Sequence, residues 1–145
     1  MASFYGIGVG PGDSELLTVK AINTIKNLDV LYVPQAHKGS KSVAERIATP
    51  YLPATLAIKK RHFPMVKDWD TKMESWRKIA DEIKDDVQQG NNVGFLTLGD
   101  PSVYSTFSYL ADILIPVIDV QTIAGISSFS QIAASLSIPL MLDCL

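Results

Sequence analysis

Asp70 to Asp100 reads DTKMESWRKIADEIKDDVQQGNNVGFLTLGD and holds two different periods back to back. In the first part Met73, Trp76, Ala80, Ile83 and Val87 recur at spacings of three and four, which builds one apolar stripe and predicts a helix over Asp70 to Gln89. Gly90 can take the left-handed conformation without steric cost and supplies the stop. Val93 to Leu98 is then a short run too apolar to leave one face in water, as expected of a parallel strand covered on both sides. A long amphipathic helix feeding a doubly buried strand predicts an α/β fold.

The same alternation extends outward in both directions. Further strands are predicted at Phe4 to Val9, Val30 to Val33, Thr55 to Ile58 and Val117 to Thr122, all with too little polar character for one wet face. A helix should start after Asp13 or Ser14 and run to about Lys26, with Leu16, Leu17, Ala21 and Ile25 facing inward. Others should follow Ser40 and Ser127. KKRHFPMVK, Lys59 to Lys67, has neither period and is expected to be a surface loop. The expected architecture is an open, mainly parallel five-stranded sheet with helices on both faces, occupying residues 1–122. Residues 123–145 end in the apolar SIPLMLDCL and are expected to begin a second domain or an inter-domain helix that is cut short.

Composition narrows the function classes. With 145 residues, a net charge of -2 and 19% charged residues, the chain can bury a real core but projects no positive field toward nucleic acid or an anionic membrane. The single cysteine, Cys144, forms no internal disulfide and fits a reducing cytoplasm, and no Cys/His spacing suggests a metal site. No basic segment precedes the first apolar stretch, so Met1 to Val9 is not a secretory signal. Leu110 to Val120 is interrupted by Asp112, Pro116 and Asp119 and falls short of a membrane span.

Three corners carry the chemistry. GIGVGPGD, Gly6 to Asp13, turns a strand into a helix through Gly10, Pro11 and Gly12. It is not a dinucleotide fingerprint, because the third glycine position holds Pro11 or Asp13 depending on the starting glycine. Nor is Gly39 to Ser42 a Walker loop, since Pro34 stands where the partner glycine belongs. Proline offers no N–H to a phosphate, and Asp13 competes with any anion for the positive end of the helix. This corner suits either a phosphate-free ligand pressed on bare backbone or a plain turn capped by Asp13.

LTLGDPSVYSTF, Leu96 to Phe107, is the second corner. Gly99 permits close backbone approach, Pro101 suits a first helical turn, and Asp100 is held extended before it. The Asp100 carboxylate could accept from a ribose or an amine, with the Ser105 and Thr106 hydroxyls nearby, or it could only cap a helix. IAGISSFSQ, Ile123 to Gln131, is the third, where Gly125 leads into Ser127 and Ser128 as ligand-facing or capping residues. All three fall at the carboxyl ends of predicted parallel strands, where open α/β sheets bind their ligands.

The order and spacing of GVGPGD, GDPSVYSTF and AGISSF resemble those of the tetrapyrrole methylases, which bind S-adenosylmethionine between two α/β domains. FLTLGDPSVYSTFSYL, with Phe63 to Met65 upstream, is similar to the branch that methylates C-20 of precorrin-2 or its cobalt-bearing counterpart. The resemblance implies that Pro11, Leu98, Gly99, Asp100 and Val103 lie against S-adenosylmethionine, with Ser127 and Ser128 beside them and Tyr104, Ser105 and Thr106 lining the same trough. It implies a small-molecule tetrapyrrole substrate near Gly10, Gly12, Asp13, His37, Lys38 and Arg61, and a homodimer. Uroporphyrinogen methylases place an acidic residue after the second strand, where this chain has Val33 and Pro34, which argues against that earlier step. Diphthine synthases and neighbouring corrin methylases share the three corners, and a fragment lacking the family's second domain could be a silent binding module. Methyl transfer needs an in-line approach rather than a nucleophile, and no residue is assigned as base.

Other polar clusters are read as follows. Lys59, Lys60, Arg61 and His62 could greet a substrate rich in carboxylates or form a solvated loop. Trp69 and Trp76 are expected to pack, and Asp81, Glu82, Asp85 and Asp86 to form the wet face of the long helix.

Overall fold

A computed structural model describes residues 1–35, 42–62, 68–103 and 105–142. Five strands, β1 (Phe4–Gly8), β2 (Val30–Gln35), β3 (Ala57–His62), β4 (Val93–Thr97) and β5 (Val120–Ile123), form one sheet in the order β3-β2-β4-β1-β5. Every pairing between them is parallel, for example Ile7 with Leu96 and with Ile123. Helices α1 (Val19–Lys26), α2 (Val43–Ala48), α3 (Trp69–Gln88), α4 (Phe107–Leu114) and α5 (Ser128–Leu136) complete the fold.

Strand alternation divides the apolar side chains between two cores. Phe4, Tyr32, Val93 and Phe95 point to one face and pack under α3 and α4 through Trp76, Ile79, Ile83, Phe107 and Leu110. Ile7, Leu31, Val33 and Leu96 point to the other and meet α1 and α2 through Ala21, Ile25, Ala44 and Ile47. Central β4 is buried along its whole length, whereas edge strands β3 and β5 are largely half-buried or exposed, contrary to the expectation that every strand is covered. An edge strand lacks a neighbour on one side, so its outer residues meet water.

Three local expectations are corrected. Asp13 caps only one 3₁₀ turn, Ser14–Leu16; Leu17 is extended, and Thr18 caps α1 by accepting from the Ala21 N–H at 3.0 Å. Tertiary bonds hold the break: the Ser14 hydroxyl donates to the Ile47 carbonyl at 2.7 Å, and the Tyr51 hydroxyl donates to the Ser14 carbonyl at 3.0 Å. Second, Pro101 lies in a turn and α4 begins only at Phe107. Third, Lys59 to His62 are strand, paired with β2 from Tyr32 to Gln35, while Phe63 to Lys67 lie outside the described residues.

That third correction overturns another. Lys59 and Arg61 share the face covered by α3, where Lys59 Nζ lies 3.0 Å from Asp86 and Arg61 donates to Glu82 at 2.7 Å. The buried Tyr32 hydroxyl also donates to Asp86, at 2.5 Å, and burial pushes its pKa up. Glu82 and Asp86 therefore brace α3 against the sheet edge rather than simply facing water. Ser40 is outside the described residues, and Ser42 caps α2, accepting from the Glu45 N–H at 3.0 Å. Among the described residues no helix is long and apolar enough to cross a membrane.

Candidate active site at the carboxyl edge of the sheet

Beyond the carboxyl ends of β1 and β4 the two segments clasp each other. Gly10 donates to the Gly99 carbonyl at 3.2 Å and Gly99 donates back to the Gly10 carbonyl at 2.9 Å. Gly99 has φ of 68°, a conformation that costs other residues energy, which explains the glycine. The corner after β5 closes onto both: a Cβ on Gly125 would lie 2.1 Å from the Gly99 oxygen. The glycines are thus needed first by one another's backbones.

Above this knot opens a crevice of about 610 Å³, a size suited to a small molecule. It is lined by Pro11, Pro34, Ser42, Val43, Ala44, Leu96, Thr97, Leu98, Gly99, Asp100, Val103, Ser105, Thr106, Ser127, Ser128 and Phe129. Nine of the ten residues assigned to the cofactor converge here: Pro11, Leu98, Gly99, Asp100, Val103, Ser105, Thr106, Ser127 and Ser128. Tyr104 lies outside the described residues.

The substrate assignments scatter more widely. Gly10 is buried in the clasp beneath the crevice; Gly12 and Asp13 are exposed and absent from the lining, and Asp13 accepts from the Glu15 N–H at 2.9 Å. Arg61 is also absent from the lining, its guanidinium being held by Glu82. His37 and Lys38 fall outside the described residues.

Pro34, Ser42, Val43, Ala44, Leu96, Thr97 and Phe129 line the crevice without having been singled out as contacts. Thr97 carried a signal, being the one hydroxyl in the apolar run FLTL. It is buried, and its Oγ1 lies 2.7 Å from Ser105 Oγ, which in turn accepts from the Phe107 N–H at 3.1 Å. The others are drawn in by topology, because β4 sits between β2 and β1 and brings α2 to the same edge.

Electrostatically the lining is nearly neutral. Among its described residues Asp100 is the single ionisable group and no cation is present. Burial pushes the Asp100 carboxyl up, but bonds from Ser102 and Gly125 outweigh that and hold it below the usual carboxylate range. Leu98 and Phe129, each about half exposed, supply apolar walls. Such a site can accept hydroxyls, stack a flat ring and tolerate a positive ligand, and among its described residues it offers no counter-charge for phosphates. Among the described residues no group of acidic, histidine or cysteine side chains could hold a metal ion.

Fold and crevice together define an α/β domain with a candidate small-molecule crevice on its carboxyl edge. The chain belongs to the Tetrapyrrole (Corrin/Porphyrin) Methylases, whose family model matches residues 3–143. It is 38% identical over 138 residues to the probable cobalt-precorrin-2 C(20)-methyltransferase of Methanocaldococcus jannaschii, covering 94% of this chain and 58% of that protein. It is 34% identical over 139 residues to the cobalt-precorrin-2 C(20)-methyltransferase of Salmonella typhimurium, covering 96% of this chain and 59% of that one. The chain thus spans less than two thirds of these relatives' length. The fold matches the crystal structure of the cobalt precorrin-4 methyltransferase CbiF, with a TM-score of 0.75 at 21% identity over 99% of this chain and 54% of that one.

Proposed function

We propose that this chain is the cofactor-binding part of an S-adenosylmethionine-dependent methyltransferase that acts on C-20 of precorrin-2 or of its cobalt-bearing form. The observation that carries the cofactor is the lining: three glycine corners and their hydroxyls, with no cation among the described residues, in a crevice of about 610 Å³. A nucleoside bearing a sulfonium and an ammonium fits that chemistry, whereas a dinucleotide would leave its phosphates unpaired. The choice of C-20 is supported by the resemblance of Leu96 to Phe107 and by the names of the two relatives.

When bound, the cofactor supplies an electrophilic methyl group. The chain contributes position: the clasped corners hold Pro11 and Gly99 as a rigid floor, the Thr97 and Ser105 pair fixes one wall, and Leu98 and Phe129 exclude water from another. Residues 123–145 would lead into a second domain that covers the crevice, and the tetrapyrrole would lie across its mouth near Gly12 and Asp13. The enzyme would work in the cytoplasm as a homodimer.

Calorimetric titration with S-adenosylhomocysteine tests the site directly, and binding is expected where NAD and ATP give none. Product analysis with precorrin-2 then tests the position, and a methyl group found on any other carbon would overturn the C-20 assignment. Tight binding of either phosphorylated nucleotide would overturn the cofactor assignment.

A further inference from the structure

Asp100 stands where two corners of the sheet meet, and its carboxylate is engaged with the protein itself. Oδ1 accepts the Gly125 N–H at 2.9 Å. Oδ2 accepts the Ser102 N–H at 3.1 Å and also the Ser102 hydroxyl. Three of roughly four acceptor positions of a carboxylate are therefore filled before any ligand arrives.

Gly125 belongs to the corner that opens directly into α5, and α5 has few other moorings. Ala133 is its single buried side chain, whereas Phe129, Ile132 and Leu136 are largely exposed. The corner itself leaves no slack, since a Cβ on Gly125 would also meet Gly8 Cα at 2.9 Å. Within this chain the start of α5 is held over the crevice by this backbone joint and one carboxylate.

We infer that Asp100 is a positioning residue: through Gly125 it docks the start of α5, with Ser127 and Ser128, against the β4 corner and so sets the width of the crevice, instead of taking a hydrogen bond from the ligand. A carboxylate free for a ribose or an ammonium would be expected to point outward with its acceptors open. The depressed Asp100 pKa agrees with a carboxylate already solvated by protein donors. The ligand half of this inference rests on the nucleoside site proposed above; the latch does not.

Two substitutions separate the alternatives. Asp100→Asn keeps a carbonyl oxygen for the Gly125 N–H, whereas Asp100→Ala removes every acceptor. Amide hydrogen exchange at Gly125 should be similar in the native protein and Asp100→Asn, and roughly tenfold or more faster in Asp100→Ala, the scale of one lost bond to a charged group. Equal exchange in the native protein and Asp100→Ala would overturn the latch. In calorimetry with S-adenosylhomocysteine, Asp100→Asn should bind within about threefold of native, and Asp100→Ala should be weaker by about tenfold or more. An Asn variant that protects the Gly125 amide as the native protein does, yet binds as weakly as the Ala variant, would show that the carboxylate itself meets the ligand, and the positioning role would fall. If the native protein binds no nucleoside, the proposed function fails, and Gly125 exchange still decides the latch.

Discussion

A methyl group on Gly125 has no room, because it would sit 2.1 Å from the Gly99 oxygen. Gly125→Ala should cost about 1–3 kcal/mol in urea unfolding, the scale of overpacking in a close-packed site. Gly12 makes the opposite case: nothing lies within 4 Å of its Cβ position. Gly12→Ala should therefore stay within about 0.5 kcal/mol of native, and an equal loss for both would refute the knot described for the corners. Asp100 makes a pH-dependent contribution whose sign follows from its lowered pKa. The unfolded chain takes up the proton first as pH falls, so the contribution is whole above the ordinary carboxylate range and disappears as pH drops through the lower folded value. Acid unfolding of Asp100→Asn should lack that component, and curves that stay parallel down to the lowest pH would contradict it.

At the scale of elements, α3 and β4 are legible because a stripe at spacings of three and four and a run of apolar residues each depend only on neighbours in the chain. Strand β3 is not, since Lys59 and Arg61 look like a wet loop until Asp86 and Glu82, 27 and 21 positions later, neutralise them. The broken helix after Asp13 is hidden for the same reason: Asp13 and Thr18 are both adequate caps, and only distant Ile47 and Tyr51 select the break. Ile83, fully buried on the inner face of α3, should cost about 2–5 kcal/mol when changed to Ala. Glu82→Gln should cost less than about 1 kcal/mol, because its pair with Arg61 is partly exposed and screened by solvent. Chemical denaturation of the two variants checks both, and a larger loss for Glu82→Gln would reverse the ranking of core over charge.

The whole molecule explains why so much of the crevice could be read from sequence and why part could not. Glycine corners announce themselves at strand ends, so the contributions after β1, β4 and β5 are visible in the chain. Pro34 and Ala44 reach the crevice only once the sheet order is known. That order has a temporal side. Strand β1 pairs with β4 and β5, with Phe4 opposite Val93 on one side and Val120 on the other, so this strand has no described neighbour in the sheet until Val93 has been made. Pairings so distant in sequence close late. Nascent chains halted before Val93 should be cut readily by protease, while chains extended past Leu136 should resist. During synthesis the carboxyl edge of the sheet therefore takes shape only after β4 and β5 are made, and β1 needs shelter from aggregation until then.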